Sequence, residues 1–479
     1  MSFALSALLK GAAIKPPRMK VEGVNADSRS IQPGEAFFAI PGSRTHGDAF
    51  AEQARVNGAK VMVTDREPAA DPGMPVILVD DVRRAYAQAA ARQYAPQPEV
   101  MVGVTGTNGK SSIVSFVRQI WAACHFSAAS VGTVGIETAA GLVPGELTTP
   151  DALSLHRDLA RLRADGIDHV AMEASSQGLD QRRADGIQFS AVAFTNLSRD
   201  HLDYHADMEA YRDAKLRLFT DLIGDGGAAV VNADDPEYEA FMFAALGRGA
   251  TLMTVGREGA WFEIQSVVNE GYGQRVTGRL VGEPVDFHLP LTGAFQASNA
   301  VVALGLAMAT GAPKKGAIES LSRLKGARGR LELVGEHNGA AIFVDYAHKP
   351  VALETALTAL RPYASNRLHL VFGAGGDRDK GKRPMMGEIA GRLADVTIVT
   401  DDNPRTEDAA AIRSEIMATA PGAREVGDRR SAIQGAIRAL KPGDVLLIAG
   451  KGHEDYQIVG TTKHHFSDHE VVAETLKDF

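Results

Sequence analysis

Ten consecutive residues, Gly103-Val104-Thr105-Gly106-Thr107-Asn108-Gly109-Lys110-Ser111-Ser112, have the types and spacing needed to hold a polyphosphate. Glycines at 106 and 109 let the backbone curl, so that successive N–H groups from Thr105 to Gly109 can point at one anion. A helix beginning at Lys110 would add its positive end. Lys110 supplies a mobile charge for the outer phosphates, and the Ser111 hydroxyl suits Mg²⁺. Val104 stands where G-x-x-x-x-G-K-[ST] has its first glycine, so the segment is a T-G-T-N-G-K-S variant. The ligand expected is a nucleoside triphosphate; the bland alternative is a strand-to-helix turn without a ligand.

Other groups fall where a triphosphate would need them. Glu173 ends an apolar run, and Asn196 to His205 follow the next one. One carboxylate and one imidazole, Glu173 and His201, suit a Mg²⁺ held partly by protein and partly by phosphate. On local sequence alone His201 can equally be a loop cap. Lys215 lies in an amphipathic stretch, Tyr211–Phe219, and by pattern alone reads as a solvated surface lysine. Gly373-Ala374-Gly375-Gly376-Asp377 suggests a dinucleotide loop, but position 378 is Arg, so G-x-G-x-x-G is not completed.

These clusters require elements to hold them. Val100–Val104, His169–Met172, Ala191–Phe194 and Ala228–Val231 read as short apolar strands; Lys110–Ala123 and Ala152–Arg163 read as helices. The alternation implies a mainly parallel sheet covered on both faces. Ala341–Val344, His369–Phe372, Val396–Val399 and Val445–Ile448 repeat the pattern. In such sheets ligands lie beyond the carboxyl ends of the strands, and every polar cluster of the chain falls there. Joints at Ala95-Pro96-Gln97-Pro98 and at Lys325–Arg330 divide the 479 residues into 1–98, 99–329 and 330–479.

Composition narrows the class. Fifty-one Lys plus Arg against 59 Asp plus Glu give a net charge of −8, and aromatic residues are only 6%. Neither fits a nucleic-acid binder, which needs a basic surplus or stacking platforms. One cysteine excludes intrachain disulfides and multi-cysteine zinc sites. No uncharged apolar run reaches about 18 residues, so no membrane span is expected. The apolar start, MSFALSALLKGAAIKPP, is interrupted by Lys10 and reads as a docking helix rather than a signal peptide. A cytoplasmic location and a monomer are the expectations.

TGTNGKSS, TTPDA, MEASSQGL, FTNLSRDHLDYH, YRDAKLRLF, VDYAHKP, GDRDKGKRP, DNPR and GKGHEDYQ occur in one order along the chain. In this the sequence resembles the Mur ligases. The resemblance implies an α/β, three-domain architecture with a central P-loop-type parallel sheet and a C-terminal Rossmann-like domain. Residues 1–98 would bind the UDP-substrate, 99–329 ATP, and 330–479 the incoming amino acid. It implies ATP and Mg²⁺ as cofactors and small molecules as the only partners. The reaction implied is phosphorylation of a terminal carboxylate of a cell-wall precursor, followed by attack of an amine on the acyl phosphate.

Position by position, the resemblance makes Lys215 a carbamylated lysine that holds metal with Ser111, Glu173 and His201; Lys110, Lys215 and His201 would serve catalysis. Thr105 to Ser111, Asn299, Arg330 and Asp345 would bind ATP. Ser28 and the loop Ser43-Arg44-Thr45 would take the uridine diphosphate. Thr148, Thr149, Ser175, Gln181 and Arg183 would contact the muramoyl peptide. Asp402-Asn403-Pro404-Arg405 matches the form of its motif associated with meso-diaminopimelate, and Arg378, Gly450 and Glu454 match further contacts to it. The substrate implied is therefore UDP-N-acetylmuramoyl-L-alanyl-D-glutamate. Ala174 and Gln177 depart from the usual MEVSSH, and Ser198 replaces a usual Thr. The competing readings are a lysine-adding relative, a folylpolyglutamate synthetase, a P-loop switch ATPase and a nicotinamide dehydrogenase.

Overall fold

The computed structural model describes residues 2–11, 16–42, 45–145 and 147–479. Ser43 and Arg44 lie outside the described residues. The chain forms two compact units, one of residues 1–265, 278–285 and 298–320, the other of residues 266–277, 286–297 and 321–479.

The first unit is built on a large sheet. Its parallel strands lie in the order Ala128–Gly132, His169–Glu173, Val100–Thr105, Phe189–Phe194, Ile223–Asn232 and Thr251–Gly256. The phosphate-loop strand Val100–Thr105 is thus central, and all its residues from Met101 on are buried. Two antiparallel strands, Gly135–Thr138 and Gly141–Pro144, extend the edge. Strands buried on both faces need apolar residues at successive positions, which accounts for runs such as VMVGVT and FSAVAF.

Helices cover the sheet. Lys110–Ala123 buries Ile113, Val114, Phe116, Val117, Ile120 and Trp121. Ala152–Ala164 is capped by Asp151, whose carboxylate accepts from the Ser154 N–H, and it buries Leu155, Leu159 and Leu162 on one stripe. Phe194 and Phe241 stack at 3.7 Å between ring centroids. Each such fully buried side chain contributes about 1.5–3 kcal/mol relative to exposure.

The N-terminal segment of this unit carries its own four-stranded parallel sheet, Val24–Asn25, Ala36–Phe38, Val61–Thr64 and Val76–Leu78. The start of the chain does dock, although its helix is only Leu5–Leu8; Leu5, Leu8 and Leu9 are buried in the core of this segment.

In the second unit the strand order is Glu332–His337, Ala340–Asp345, Val445–Ala449, Leu368–Phe372, Val396–Val399 and Arg424–Glu425. All neighbours are parallel except the first pair. Helices Pro350–Leu360 and Lys382–Leu393 bury Leu353, Leu357, Met386 and Ile389. Arg429–Arg438 and Asp468–Leu476 bury Ile433, Ile437, Val471 and Val472 in a separate core cluster. Among the described residues no helix is long and apolar enough to cross a membrane.

Candidate active site

Strand geometry fixes the phosphate loop. After Thr105 the chain turns at Gly106, with φ +145°; a Cβ there would lie 1.8 Å from the Thr195 hydroxyl. Gly109 has φ +87°, and its Cβ would meet the Asn299 side-chain Oδ1 at 2.6 Å. Both glycines are therefore required by conformation and by space. Lys110 then opens the helix. The loop is held from the neighbouring strand end: Thr195 Oγ1 donates to the Asn108 carbonyl at 2.7 Å, and Asn196 Oδ1 accepts from the Asn108 N–H at 3.0 Å. Thr105 Oγ1 donates to the Ala174 carbonyl at 2.8 Å, and Ser111 is buried in the first helical turn.

Gly106→Ala places a methyl group where Thr195 stands, in a backbone conformation that costs alanine about 1–3 kcal/mol. The expected outcome is a loss of about tenfold or more in ATP affinity, read by calorimetry. Unchanged affinity would remove the loop from the nucleotide site.

Two lysines converge on this loop. Lys110 Nζ donates to the carbonyls of Gly106 at 2.9 Å and Thr107 at 2.8 Å. Lys215 Nζ donates to the same Gly106 carbonyl at 2.8 Å and lies 4.4 Å from the Tyr211 ring centroid. Lys215 is 1% exposed, and no described carboxylate lies within 4 Å of it. Burial, and then the charge of Lys110, push its amine well below the usual lysine range, against a weaker pull from Asp200. Pattern reading placed this lysine on the surface; the fold buries it.

Glu173 is 2% exposed at the end of its strand. Its Oε1 accepts from the Thr133 N–H at 2.9 Å and its Oε2 from the Thr133 hydroxyl at 3.3 Å. His201 sits at φ +54° with its ring 6.1 Å from that of Tyr211. Among the described residues no three His, Cys, Asp or Glu side chains form a ready-made metal site.

Thr148, Thr149, Ser175, Gln181 and Arg183 come together beside Glu173. Thr149 Oγ1 donates to the Glu173 carbonyl at 2.9 Å and meets Ser175 Oγ at 3.0 Å; Thr148 Oγ1 lies 3.0 Å from Thr133 Oγ1. Arg183 donates to the Thr149 carbonyl at 2.8 Å and to Gln181 Oε1 at 2.7 Å. Its polar neighbours are neutral oxygens, so among the described residues this half-buried guanidinium has no carboxylate in contact. Ser28 is buried in the N-terminal segment, its hydroxyl 3.2 Å from Gln53 Oε1, while Thr45 is exposed. Asn299 is buried against Gly109.

The remaining candidates belong to the second unit. Asp345 accepts from the N–H groups of Leu331 and Ala347, each at 2.7 Å. Burial raises its carboxyl above the usual range, with Arg330 opposing. Arg330 stacks over Tyr346 at 4.9 Å, and its Nε is buried without a partner. Arg405 has φ +52°, pinned by its N–H on the Ile458 carbonyl at 3.0 Å and its carbonyl on the Gly460 N–H at 2.7 Å. Its Nη1 donates to the Gly376 carbonyl at 2.8 Å. A Cβ on Gly375 would strike that Nη1 at 2.8 Å. Of the glycines that resemble a dinucleotide loop, Gly375 thus makes room for the Arg405 side chain, and Gly376 for the Pro404 carbonyl. Neither Arg405 nor the exposed Arg378 has a carboxylate partner among the described residues.

Asp402, Asn403 and Pro404 are buried. Asn403 Nδ2 donates to Glu454 Oε2 at 3.0 Å. Gly450 has φ +116°, and a Cβ there would lie 2.6 Å from Asp402 Oδ2. Burial and the neighbouring Asp402 raise the Glu454 carboxyl.

Three family models match the chain: "Mur ligase family, catalytic domain" over residues 20–94, "Mur ligase middle domain" over 104–307, and "Mur ligase, glutamate ligase domain" over 329–452. The chain belongs to the Mur ligase family. This Mur ligase is 52% identical over 460 residues to the UDP-N-acetylmuramoyl-L-alanyl-D-glutamate–2,6-diaminopimelate ligase of Brucella melitensis, covering 96% of this chain and 94% of that protein. It is 50% identical over 473 residues to the protein of the same name in Rhizobium meliloti, covering 98% and 97%. A solved structure of a ligase of that name superposes with a TM-score of 0.74 at 31% identity, covering 100% of this chain and 99% of that one. A folylpolyglutamate synthase from Mycobacterium tuberculosis complexed with ADP shares the fold, with a TM-score of 0.62 at 19% identity over 77% of this chain and 91% of the other. The α/β architecture with a large parallel-rich sheet is that of the family.

Several residues of this Mur ligase site had no role from sequence. Tyr211 is fully buried, and its hydroxyl lies 3.1 Å from Thr107 Oγ1. His205 is buried 3.0 Å from Ser176 Oγ. Asn196 and Thr195 brace the loop. All lie inside motifs already singled out; what pattern could not supply was which of them face one another across adjacent strands.

Proposed function

We infer that this Mur ligase joins meso-2,6-diaminopimelate to UDP-N-acetylmuramoyl-L-alanyl-D-glutamate at the expense of ATP, in the assembly of a peptidoglycan precursor. The observation that carries the reading is Arg405: a guanidinium held in a strained, glycine-lined turn with no carboxylate partner among the described residues, in a chain about half identical to ligases of that name. A planar fork takes a carboxylate through two parallel bonds. Lysine has no distal carboxylate, so a site built this way discriminates against it.

A carboxylate is a poor electrophile because its leaving group would be oxide. Transfer of the γ-phosphoryl group of ATP to a carboxylate oxygen supplies phosphate as the leaving group. The amine of diaminopimelate then adds to the acyl carbon, and collapse of the tetrahedral intermediate forms the amide and releases phosphate. Backbone N–H groups of Thr105 to Gly109 and the helix start at Lys110 hold the phosphates, and the Lys110 ammonium offsets the charge that develops on the transferred group. Asn299, beside Gly109, and Arg330 and Asp345 serve the nucleotide. Thr148, Thr149, Ser175, Gln181 and Arg183 orient the muramoyl peptide, with Ser28 and the loop Ser43–Thr45 on the uridine diphosphate. Arg378, Asp402 to Arg405, Gly450 and Glu454 receive diaminopimelate.

The donor set fits Mg²⁺ in part. Ser111, Glu173 and His201 offer a hydroxyl, a carboxylate and an imidazole, and a carbamate on Lys215 would add a further oxygen. Mg²⁺ held by these residues would supply positive charge to offset that of the phosphates. Carbamate formation needs a free amine, which burial of Lys215 favours. In this reading residues 1–98, 99–329 and 330–479 act as UDP-substrate, ATP and amino-acid domains of a monomeric cytoplasmic enzyme.

The test is phosphate release from ATP with each substrate left out in turn. Release is expected only when the UDP-muramoyl dipeptide and diaminopimelate are both present, with lysine a poor substitute. Equal release without either one would overturn the ligase reading in favour of a simple ATPase.

A further inference from the structure

Lys451 has no role in the reaction as described, yet it is among the most completely buried charged side chains of the second unit, at 0% exposure. Its strand, Val445–Ala449, ends at Gly450, whose left-handed φ swings the chain so that the lysine points inward. There its Nζ donates to Asn403 Oδ1 at 3.0 Å and to the Tyr456 carbonyl at 2.7 Å. Asp402 Oδ1 lies 3.8 Å away and Glu454 Oε2 3.9 Å away.

Asn403 completes the arrangement. Its Oδ1 also accepts from the Ile458 N–H at 3.0 Å, and its Nδ2 donates to Glu454 Oε2 at 3.0 Å. Ile458 in turn accepts from the Arg405 N–H. A chain of hydrogen bonds thus runs from one buried ammonium to Asn403, to the carboxylate of Glu454, and to the backbone that holds Arg405 at φ +52°. Other charges around it are already engaged. Arg429 pairs with Asp468 through two bonds of 2.8 Å, and Lys382 donates to the His348 carbonyl at 2.9 Å. Lys451 is the cation that stands between Asp402 and Glu454.

We propose that Lys451 is a specificity-determining positioning residue: through Asn403 and Glu454 it holds the ammonium-binding wall of the amino-acid pocket at a fixed distance from the carboxylate-binding Arg405. The proposal rests on the diaminopimelate reading of that pocket. The physical need is clear. A substrate with an ammonium and a carboxylate at its far end requires an acid and a base at fixed separation. The buried Asp402 and the half-buried Glu454, without the intervening cation, would repel each other, take up protons or move apart. Removing the cation also makes the pocket more negative by one charge, which favours a purely cationic side chain such as that of lysine over a zwitterionic one.

Lys451→Met keeps the stem of the side chain and deletes the ammonium. The expected result is a rise of at least about tenfold in the KM for diaminopimelate, about 1.4 kcal/mol by the tenfold constant. The KM values for ATP and the UDP-muramoyl dipeptide should stay within about twofold, and the ratio of turnover with diaminopimelate to turnover with lysine should fall. An unchanged KM for diaminopimelate in the folded variant overturns the proposal. So does a parallel rise in all three KM values, which marks a general structural role. Should the Met variant fail to fold, Asn403→Asp reads the same contact from its other side: it keeps an oxygen for Lys451 but loses the donor to Glu454. The same selective rise is expected, and its absence overturns the proposal. Wild-type protein in the same assay separates the two inferences, because no wild-type turnover with diaminopimelate defeats the functional reading itself.

Discussion

Lys215→Ala is expected to lower kcat by about 10³-fold, the scale seen when a group that stabilises transition-state charge is removed. The ATP affinity should change far less, because the phosphate loop keeps its own amides and Lys110. The argument starts from burial. An ammonium at 1% exposure whose closest described partners are a carbonyl and an aromatic face is poorly solvated, and the charge of Lys110 raises its cost further against a weaker pull from Asp200. Both effects shift the balance toward the neutral amine, the form that adds to carbon dioxide. A carbamate at this position would replace a poorly solvated cation by a carboxylate-like oxygen donor beside the phosphate loop. If that oxygen is what the reaction uses, short carboxylates such as formate or acetate should restore part of the activity to the alanine variant and none to Lys110→Ala. Steady-state phosphate release with and without added carboxylate decides it. Wild-type turnover in Lys215→Ala without any additive would contradict the carbamate role.

Lys215 also shows what sequence does and does not reveal. Its helix was readable from periodicity, and Met208–Arg217 does form one, closed by a π-helical turn at Leu218–Leu222. Its burial was not readable, because the face that covers it belongs to the turn after Val100–Thr105, more than a hundred residues earlier. The strand at Val100 and the helix at Lys110–Ala123 follow the apolar pattern closely, since a continuous apolar run and an amphipathic stripe are local signals. Glu173 could be placed at a strand end from the same pattern. Its bonds to Thr133 could not, because they depend on Ala128–Gly132 lying next to His169–Glu173 in the sheet. The link between Lys451 and Asn403 is hidden for the same reason. The two residues are 48 positions apart, and the order of strands brings them together. Residue types announce the chemistry; strand order decides which of them meet.

Arg405→Ala should raise the KM for diaminopimelate by about 10²-fold or more while ATP and UDP-dipeptide binding stay nearly intact. Truncating one partner of a buried, doubly hydrogen-bonded charge pair costs about 2–5 kcal/mol, and 2.8 kcal/mol already corresponds to about 10²-fold. The guanidinium is well prepared for that pairing. One nitrogen is anchored on the Gly376 carbonyl, the backbone is fixed by Ile458 and Gly460, and no described carboxylate neutralises it. Little side-chain entropy is then lost when the ligand arrives. Arg405→Lys is a sharper probe than alanine. It keeps the charge but not the planar fork, so a KM closer to the alanine variant than to the wild type would show that geometry matters more than charge. Discrimination against lysine should collapse in both variants, because lysine never engaged the fork and loses nothing. Initial rates across a concentration series of each amino acid test this directly. Unchanged diaminopimelate kinetics in Arg405→Ala would move the amino-acid pocket elsewhere, and Asp402, Asn403 and Glu454 with it, since Asp402 and Asn403 share a short run of backbone with Arg405 and Glu454 is tied to that run by the Asn403 side chain.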